Sequence, residues 1–379
     1  MWRRLGLVTA LLLPLAACSS DDDDGGGGLP GGGGSDGVEA MLGTLPVPSS
    51  AEEDGTLTVA YGDLARAARL AGVELPDSPD AAAFDDQMDV ISTITGQVLE
   101  GDSERTPVAV MPPEVAHIEE MVGLEEFVDD VGWSVFDVRS FVELQAPPNS
   151  VTVMDGGFDE DRITEALGEP DDGVWIAGDP EVQTNLDERT PARPLGEPQW
   201  LSLDDDRLVI TRSAEEMDAA RGDGSGTPTV ADDEVMVSLA QAVDDADAYS
   251  ALLYRGTLSL DLASSLGSPE QLEAACTDAL QEPFTGVAGA IADDDGPVVV
   301  IAYVHESAEA AEANAETLQD LVAEGRSLQS GEPWSEQLEI DSVETDGPVM
   351  TARLRPVRPG YAAIWHRLLL QRDNLVTHC

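Results

Sequence analysis

Apolar residues recur along this chain with two spacings, and the spacing changes at short clusters of Gly, Pro, Asp and Ser. Alternation predicts strands over 56–61, 150–155, 174–177, 200–203, 208–211 and 249–254, and two hairpins, 284–292 with 297–304 and 337–345 with 348–354. Asp-rich or Asp-Gly turns separate the paired runs at 204–206, 293–296 and 346–347. Spacings of three and four predict helices instead. Leu64, Ala67, Ala68 and Ala71 share one helical face, as do Phe84, Met88 and Ile91 after a start at Ser78-Pro79. Further helices are expected over 114–131 with an interruption at Gly123, over 159–167, from Ser268-Pro269 to about 281, over 307–325, and over 359–374 with Ile364, Trp365, Leu368 and Leu369 inward. Asp63, Asp159 and Ser307 stand where an N-cap accepts the first free amides. Ser134 with Asp137 has the spacing of a capping box and predicts a short helix carrying Val138, Phe141 and Val142.

This order of elements predicts an α+β fold, with antiparallel hairpins alternating with helices that pack on the sheet faces. The Gly-rich break at 222–229 divides it into two lobes, 38–225 and 226–379. Thr58-Val-Ala-Tyr-Gly62 before Asp63 looks like Thr152-Val-Met-Asp-Gly156 before Asp159, which fits either an internal repeat or recurring helix-start grammar.

The first residues follow a different pattern. Arg3 and Arg4 precede an apolar run over 5–17 that is too short to span a bilayer and ends in small residues. This is the layout of a secretory signal over 1–17. Its last residues with the next, Leu15-Ala16-Ala17-Cys18, resemble the lipobox of bacterial lipoproteins. The resemblance implies cleavage before Cys18 and a lipid on that cysteine, so that the chain is held at the outer face of the cytoplasmic membrane through its N-terminal lipid. Residues 18–37 then form an acidic, Gly-rich tether. Of the remaining cysteines, Cys276 and Cys379 make an even pair in an exported, oxidising setting, and a disulfide between them is expected. Closing a loop of about 100 residues is worth about 4–5 kcal/mol in the chain-entropy account.

Composition sharpens the picture. Seventy-five acidic residues against 19 basic give a net charge of −56, and every basic residue is arginine. Such a chain is repelled by nucleic-acid phosphates and anionic lipid surfaces, so no nucleic-acid partner is expected. The lack of lysine fits a GC-rich coding bias, with salt adaptation overlapping it. Together with the lipobox, it makes the chain look like uncharacterised envelope lipoproteins of high-GC actinobacteria. Aromatics are only 4% of residues, so the core must be built from Ala, Val, Leu and Ile.

No catalytic motif emerges. His117, His305, His366 and His378 have no metal-ligand spacing, and there is no GxSxG, SxxK, phosphate loop or dinucleotide fingerprint. Acidic pairs sit mostly at turns and helix starts, where Asp serves the backbone. No cofactor, metal or catalytic residue is therefore assigned. One segment departs in charge: Arg353, Arg355, Arg358, Arg367 and Arg372 face Asp373 alone over 353–379, a basic stretch that either meets a partner or pairs with the chain's own acids. The expectation is a lipid-anchored envelope protein with a non-enzymatic binding or scaffold role, its partner an envelope protein. Two alternatives are a carrier of an apolar or lipid ligand and an envelope hydrolase using carboxylates or a metal.

Overall fold

A computed structural model describes residues 37–48, 56–76, 84–96, 108–117, 124–147, 149–182, 184–222, 226–256, 258, 279–358 and 362–378. The signal run, Cys18, most of the tether, Ser78-Pro79, the helix expected from Ser268-Pro269, Cys276 and Cys379 lie outside the described residues. In chain order the elements are α1 (Val38–Leu42), β1 (Leu57–Asp63), α2 (Leu64–Ala71), α3 (Phe84–Ile94), α4 (Leu124–Val131), β2 (Val138–Ala146), β3 (Asn149–Gly156), α5 (Glu160–Leu167) and β4 (Trp175–Ala177). There follow β5 (Gln199–Asp204), β6 (Arg207–Thr211), α6 (Ala214–Ala220), α7 (Glu234–Asp245), β7 (Ala248–Arg255), β8 (Phe284–Asp293), β9 (Pro297–His305), α8 (Ala308–Glu324), β10 (Leu338–Asp346), β11 (Val349–Pro356) and α9 (Ile364–Leu370).

All the strands among the described residues join one antiparallel sheet in the order β10-β11-β9-β8-β7-β1-β2-β3-β6-β5-β4. The fold is α+β, with helices packed on both faces of the sheet. Alternation explains the layering. In β9, Val299, Ile301 and Tyr303 point to one face and Val298, Val300, Ala302 and Val304 to the other. The first face carries α2, α3, α4, α5, α8 and α9, and the second carries α1, α6 and α7. The expected caps hold: Asp63 accepts from the Arg66 amide (2.7 Å), Asp159 from Asp161 (3.0 Å) and Ser307 from Ala310 (3.2 Å).

Two expectations are corrected. Ser134 and Asp137 do form a capping box, but it opens a single 3-10 turn, and the chain passes at once into strand β2. Edge pairing with β1 and β3 outweighs the local helix signal, because Val138, Phe141 and Val142 are buried on a sheet. The helix expected over 114–131 is broken as well. His117 adopts φ 42°, a left-handed conformation that ends the short turn Glu114–Ala116, and α4 begins only at Leu124.

The sheet contains a repeat that the sequence does not advertise. A lone strand, a hairpin, a helix and a second hairpin occur twice: β1, β2–β3, α5, β5–β6, and β7, β8–β9, α8, β10–β11. Their sheet orders correspond, β1-β2-β3-β6-β5 and β7-β8-β9-β11-β10. The registers correspond too. The first hairpin of each copy carries a bulge one residue in, between Val138 and Ser140 and between Phe284 and Gly286. The second hairpins close on Asp204↔Arg207 and Asp346↔Val349. The pairs Asp63↔Ser140 and Arg255↔Gly286 make Asp63 and Arg255 equivalent. Three residues back, Ala60 and Leu252 are then equivalent, and they face each other across β1 and β7. A local two-fold axis passes through that pair. The repeat thus relates β1 to β7 and β3 to β9, not β1 to β3 as the similarity at Thr58 and Thr152 suggests. Each of the two sequence halves, 38–225 and 226–379, supplies one contiguous block of the sheet.

Close approach marks the covered face. A Cβ at Gly289 would lie 3.0 Å from Leu369 Cδ1 and 3.1 Å from the Trp365 carbonyl, so α9 rests directly on the β8 backbone.

Candidate functional site

The segment 108–117 runs as a strap over the first face, close to the two-fold axis, and polar groups fasten it from several elements. The Tyr249 hydroxyl accepts from the Ala109 amide (3.2 Å), and the Trp365 indole donates to the Ala109 carbonyl (2.8 Å). Ser250 Oγ accepts from the Met111 amide (3.1 Å) and donates to the Tyr61 carbonyl (3.0 Å). Val110 donates to the Ile94 carbonyl at 2.8 Å. The strap lies so close to β1 that a Cβ at Gly62 would be 2.7 Å from the Met111 carbonyl oxygen.

At the end of the strap sits the most perturbed carboxyl group of the described residues. Glu143 of β2 is 1% exposed and points to the first face, the face of Phe141. Ala60 stands opposite it on β1, and its small side chain leaves the carboxylate room. Glu143 Oε2 accepts from the Glu114 amide (3.0 Å) and from Thr152 Oγ1 (3.2 Å), and Oε1 accepts from Gln145 Nε2 (2.7 Å). Gln145 Nε2 also donates to Glu114 Oε2 at 2.5 Å, so a single amide bridges two carboxylates. Burial pushes Glu143 up to about 7, the charge of Glu114 adds to the rise, and the hydrogen bonds from Gln145, Glu114 and Thr152 oppose it. Glu143 is buried, while Gln145 is half-buried and Glu114 is exposed, which leaves the cluster one side open to water.

A carboxyl that exchanges its proton near neutrality is a recognised mark of functional sites. Here both of its oxygens already serve the chain's own donors. Chemically, the group is a latch that joins Glu114 to the sheet and whose charge depends on pH. Sequence reasoning missed it because it placed 138–142 on a helix. The available signal was a Glu sharing the alternating face of Phe141 within an otherwise apolar strand.

A second polar cluster lies under β8 and β9. His305 Nε2 accepts from Asn314 Nδ2 (2.9 Å), which leaves its Nδ1–H to donate to the Pro348 carbonyl (3.2 Å). Asn314 Oδ1 accepts from the Gln281 and Glu282 amides (3.2 and 3.0 Å), and its Nδ2 donates to the Glu282 carbonyl (2.8 Å). Phe284 meets Tyr303, His305 and His378 edge-on. Burial pushes His305, His366 and His378 down, which keeps these rings neutral. Among the described residues, no group of three or more His, Cys, Asp and Glu is placed to hold a metal ion, and no helix is long and apolar enough to cross a membrane.

The five arginines singled out by sequence do not gather on one face. Arg353 and Arg355 leave β11 on the second face and reach Asp294 (3.5 and 3.2 Å), and Arg355 also meets Asp341 (3.3 Å). Arg367 belongs to α9 on the first face, where it donates to Gln337 Oε1 (3.3 Å). Arg358 follows β11, and Arg372, at φ 50°, is exposed after α9.

No family model matches the chain, and no curated protein matches it. A solved structure described as "Structure of crystal form I of TP0453" aligns with a TM-score of 0.31 and 10% identity, covering 86% of this chain and 96% of that chain.

Proposed function

We propose that this chain is a lipid-anchored lipoprotein at the outer face of the cytoplasmic membrane, whose folded part acts as a non-enzymatic binding or scaffold module for an envelope protein. The observation that carries the reading is Leu15-Ala16-Ala17-Cys18 followed by an acidic Gly-rich spacer. The fold supplies a firm footing where the spacer ends. The first amides of α1, at Val38 and Glu39, donate to the Asp244 carboxylate of α7 (2.8 and 2.9 Å), which fixes the start of α1 to the second-face helix layer.

Membrane fractionation tests the anchor. The native chain is expected with the membrane, and Cys18→Ser is expected in the soluble fraction with the same folded-state spectrum. A Cys18→Ser chain that stays membrane-bound after signal cleavage overturns the anchor. A hydrolase is the second reading, favoured by Glu143 and Glu114 sharing one amide donor. Turnover of an envelope substrate that Glu143→Gln abolishes, with folding intact, would establish it in place of the binding role.

A further inference from the structure

We infer that the open edge of β10 receives an extended segment of another protein, alternating apolar and basic side chains, as an added antiparallel strand. The inference rests on the binding role proposed above and names its surface. It starts from the internal repeat. β5 and β10 hold equivalent positions, each the outer strand of its copy. The outer edge of β5 is covered: Trp175, Ile176 and Ala177 of β4 pair antiparallel with Leu201, Trp200 and Gln199. Among the described residues, no strand covers β10.

The side chains register the difference. Counted back from the closing pairs of the two hairpins, Val343 holds the place of Leu201. Leu201 is fully buried, whereas Val343 and its neighbour Ile340 are only half-buried, although both pack against the first-face core. A strand laid along β10 would complete their burial with apolar side chains on that face and pair the free backbone groups of the edge. A bulge between Ile340 and Ser342 limits the straight accepting edge to 342–346.

Charge selects the occupant. Glu339, Asp341, Glu344 and Asp346 are exposed along β10, which carries no basic residue. Asp341 meets Arg355, and among the described residues no ion pair reaches Glu339, Glu344 or Asp346. These acids oppose pairing with a second copy of a chain whose net charge is −56. They suit a strand whose alternate side chains are Lys or Arg.

A fluorescent peptide alternating Val and Lys is the probe, with the full mature protein at about 0.15 M salt, where diffuse attraction is screened. The expected result is saturable binding with slowed amide exchange over 342–346. Methylating every peptide amide, or introducing Glu344→Lys with Asp346→Lys, is expected to weaken binding at least about tenfold, equivalent to 1.4 kcal/mol. Equal affinity of the methylated peptide, or protection confined to another part of the chain, overturns the inference. Failure of the peptide while a polypeptide still co-purifies from the envelope overturns the edge and leaves the binding role standing. Failure of both overturns both.

Discussion

Replacing Glu143 by Gln tests the physical account of the strap most sharply. The substitution keeps the shape, removes the ability to ionise and, like the protonated carboxyl, offers one acceptor oxygen and one donor in place of two acceptors. In the folded chain, burial first and Glu114 second raise the Glu143 carboxyl from 4.5 to about 7. Below pH 4.5 the group is protonated whether the chain is folded or unfolded, so ionisation costs nothing. As pH rises from 4.5 to 7, the unfolded chain releases this proton and the folded chain retains it, and stability falls. Above 7 both forms are charged and the full cost is present, about 3 kcal/mol. Glu143→Gln is therefore expected to exceed the native chain in stability by up to about 3 kcal/mol at pH 8, and to match it at pH 4. Urea unfolding at a series of pH values measures the difference, and subtracting the two profiles cancels every other titrating group. Exchange of the 108–117 amides adds a local readout, since the neutral variant should hold the strap more tightly at pH 8. A variant that is destabilised equally at pH 4 and pH 8 would refute the reasoning. It would mean that folding leaves the Glu143 carboxyl at its ordinary value, the bonds from Glu114, Gln145 and Thr152 offsetting the cost of burying its charge.

Three further outcomes follow from named contacts. Asn314→Ala removes the donor to the buried His305 ring nitrogen and the acceptor of the Gln281 and Glu282 amides, which lie nearer the surface, and is expected to cost about 1–3 kcal/mol in chemical unfolding. Trp365→Phe keeps an aromatic ring under α9 but leaves a small cavity and removes the donor to the Ala109 carbonyl, so amides of the strap should exchange faster at a global cost of about 1–3 kcal/mol. The disulfide expected between Cys276 and Cys379, with Cys18 alkylated as proposed, predicts no free thiol in the mature chain, and reduction should lower stability by about 2–5 kcal/mol. Thiol titration under denaturing, non-reducing conditions checks it.

Alternation and turn chemistry made most of the sheet legible. The hairpins at 284–304 and 337–354 were expected because apolar positions repeat every second residue on both sides of Asp and Gly turns, and Asp63, Asp159 and Ser307 announced three helices. The reading failed where tertiary pairing overrode a local signal, as at Ser134–Asp137, whose capping box is real but leads into β2. It also passed over α7, although Asp233 accepts from the Met236 amide as an N-cap at 3.0 Å. The near-continuous apolar run Val235-Met236-Val237 obscured the helical period there, because α7 packs against both α1 and the sheet. The repeat was invisible for a different reason: what the two copies share is strand order, bulge position and hairpin closure, which constrain backbone geometry and not residue identity. Glu143 needed the correct strand to be recognised, since only on a sheet does it share the buried face of Phe141. The arginines of 353–372 stood out by charge, yet sequence gave no means of seeing that the sheet separates Arg353 and Arg355 from Arg367.

The central claim is that a lipid tether presents a binding module at the envelope. Native mass spectrometry of the protein, purified gently from its own membrane, tests it most directly. The account predicts a chain that begins at Cys18, carries the mass of diacylglycerol and a fatty acid, and holds a second polypeptide in fixed ratio. A chain without acyl mass that carries no polypeptide would contradict both halves of the claim.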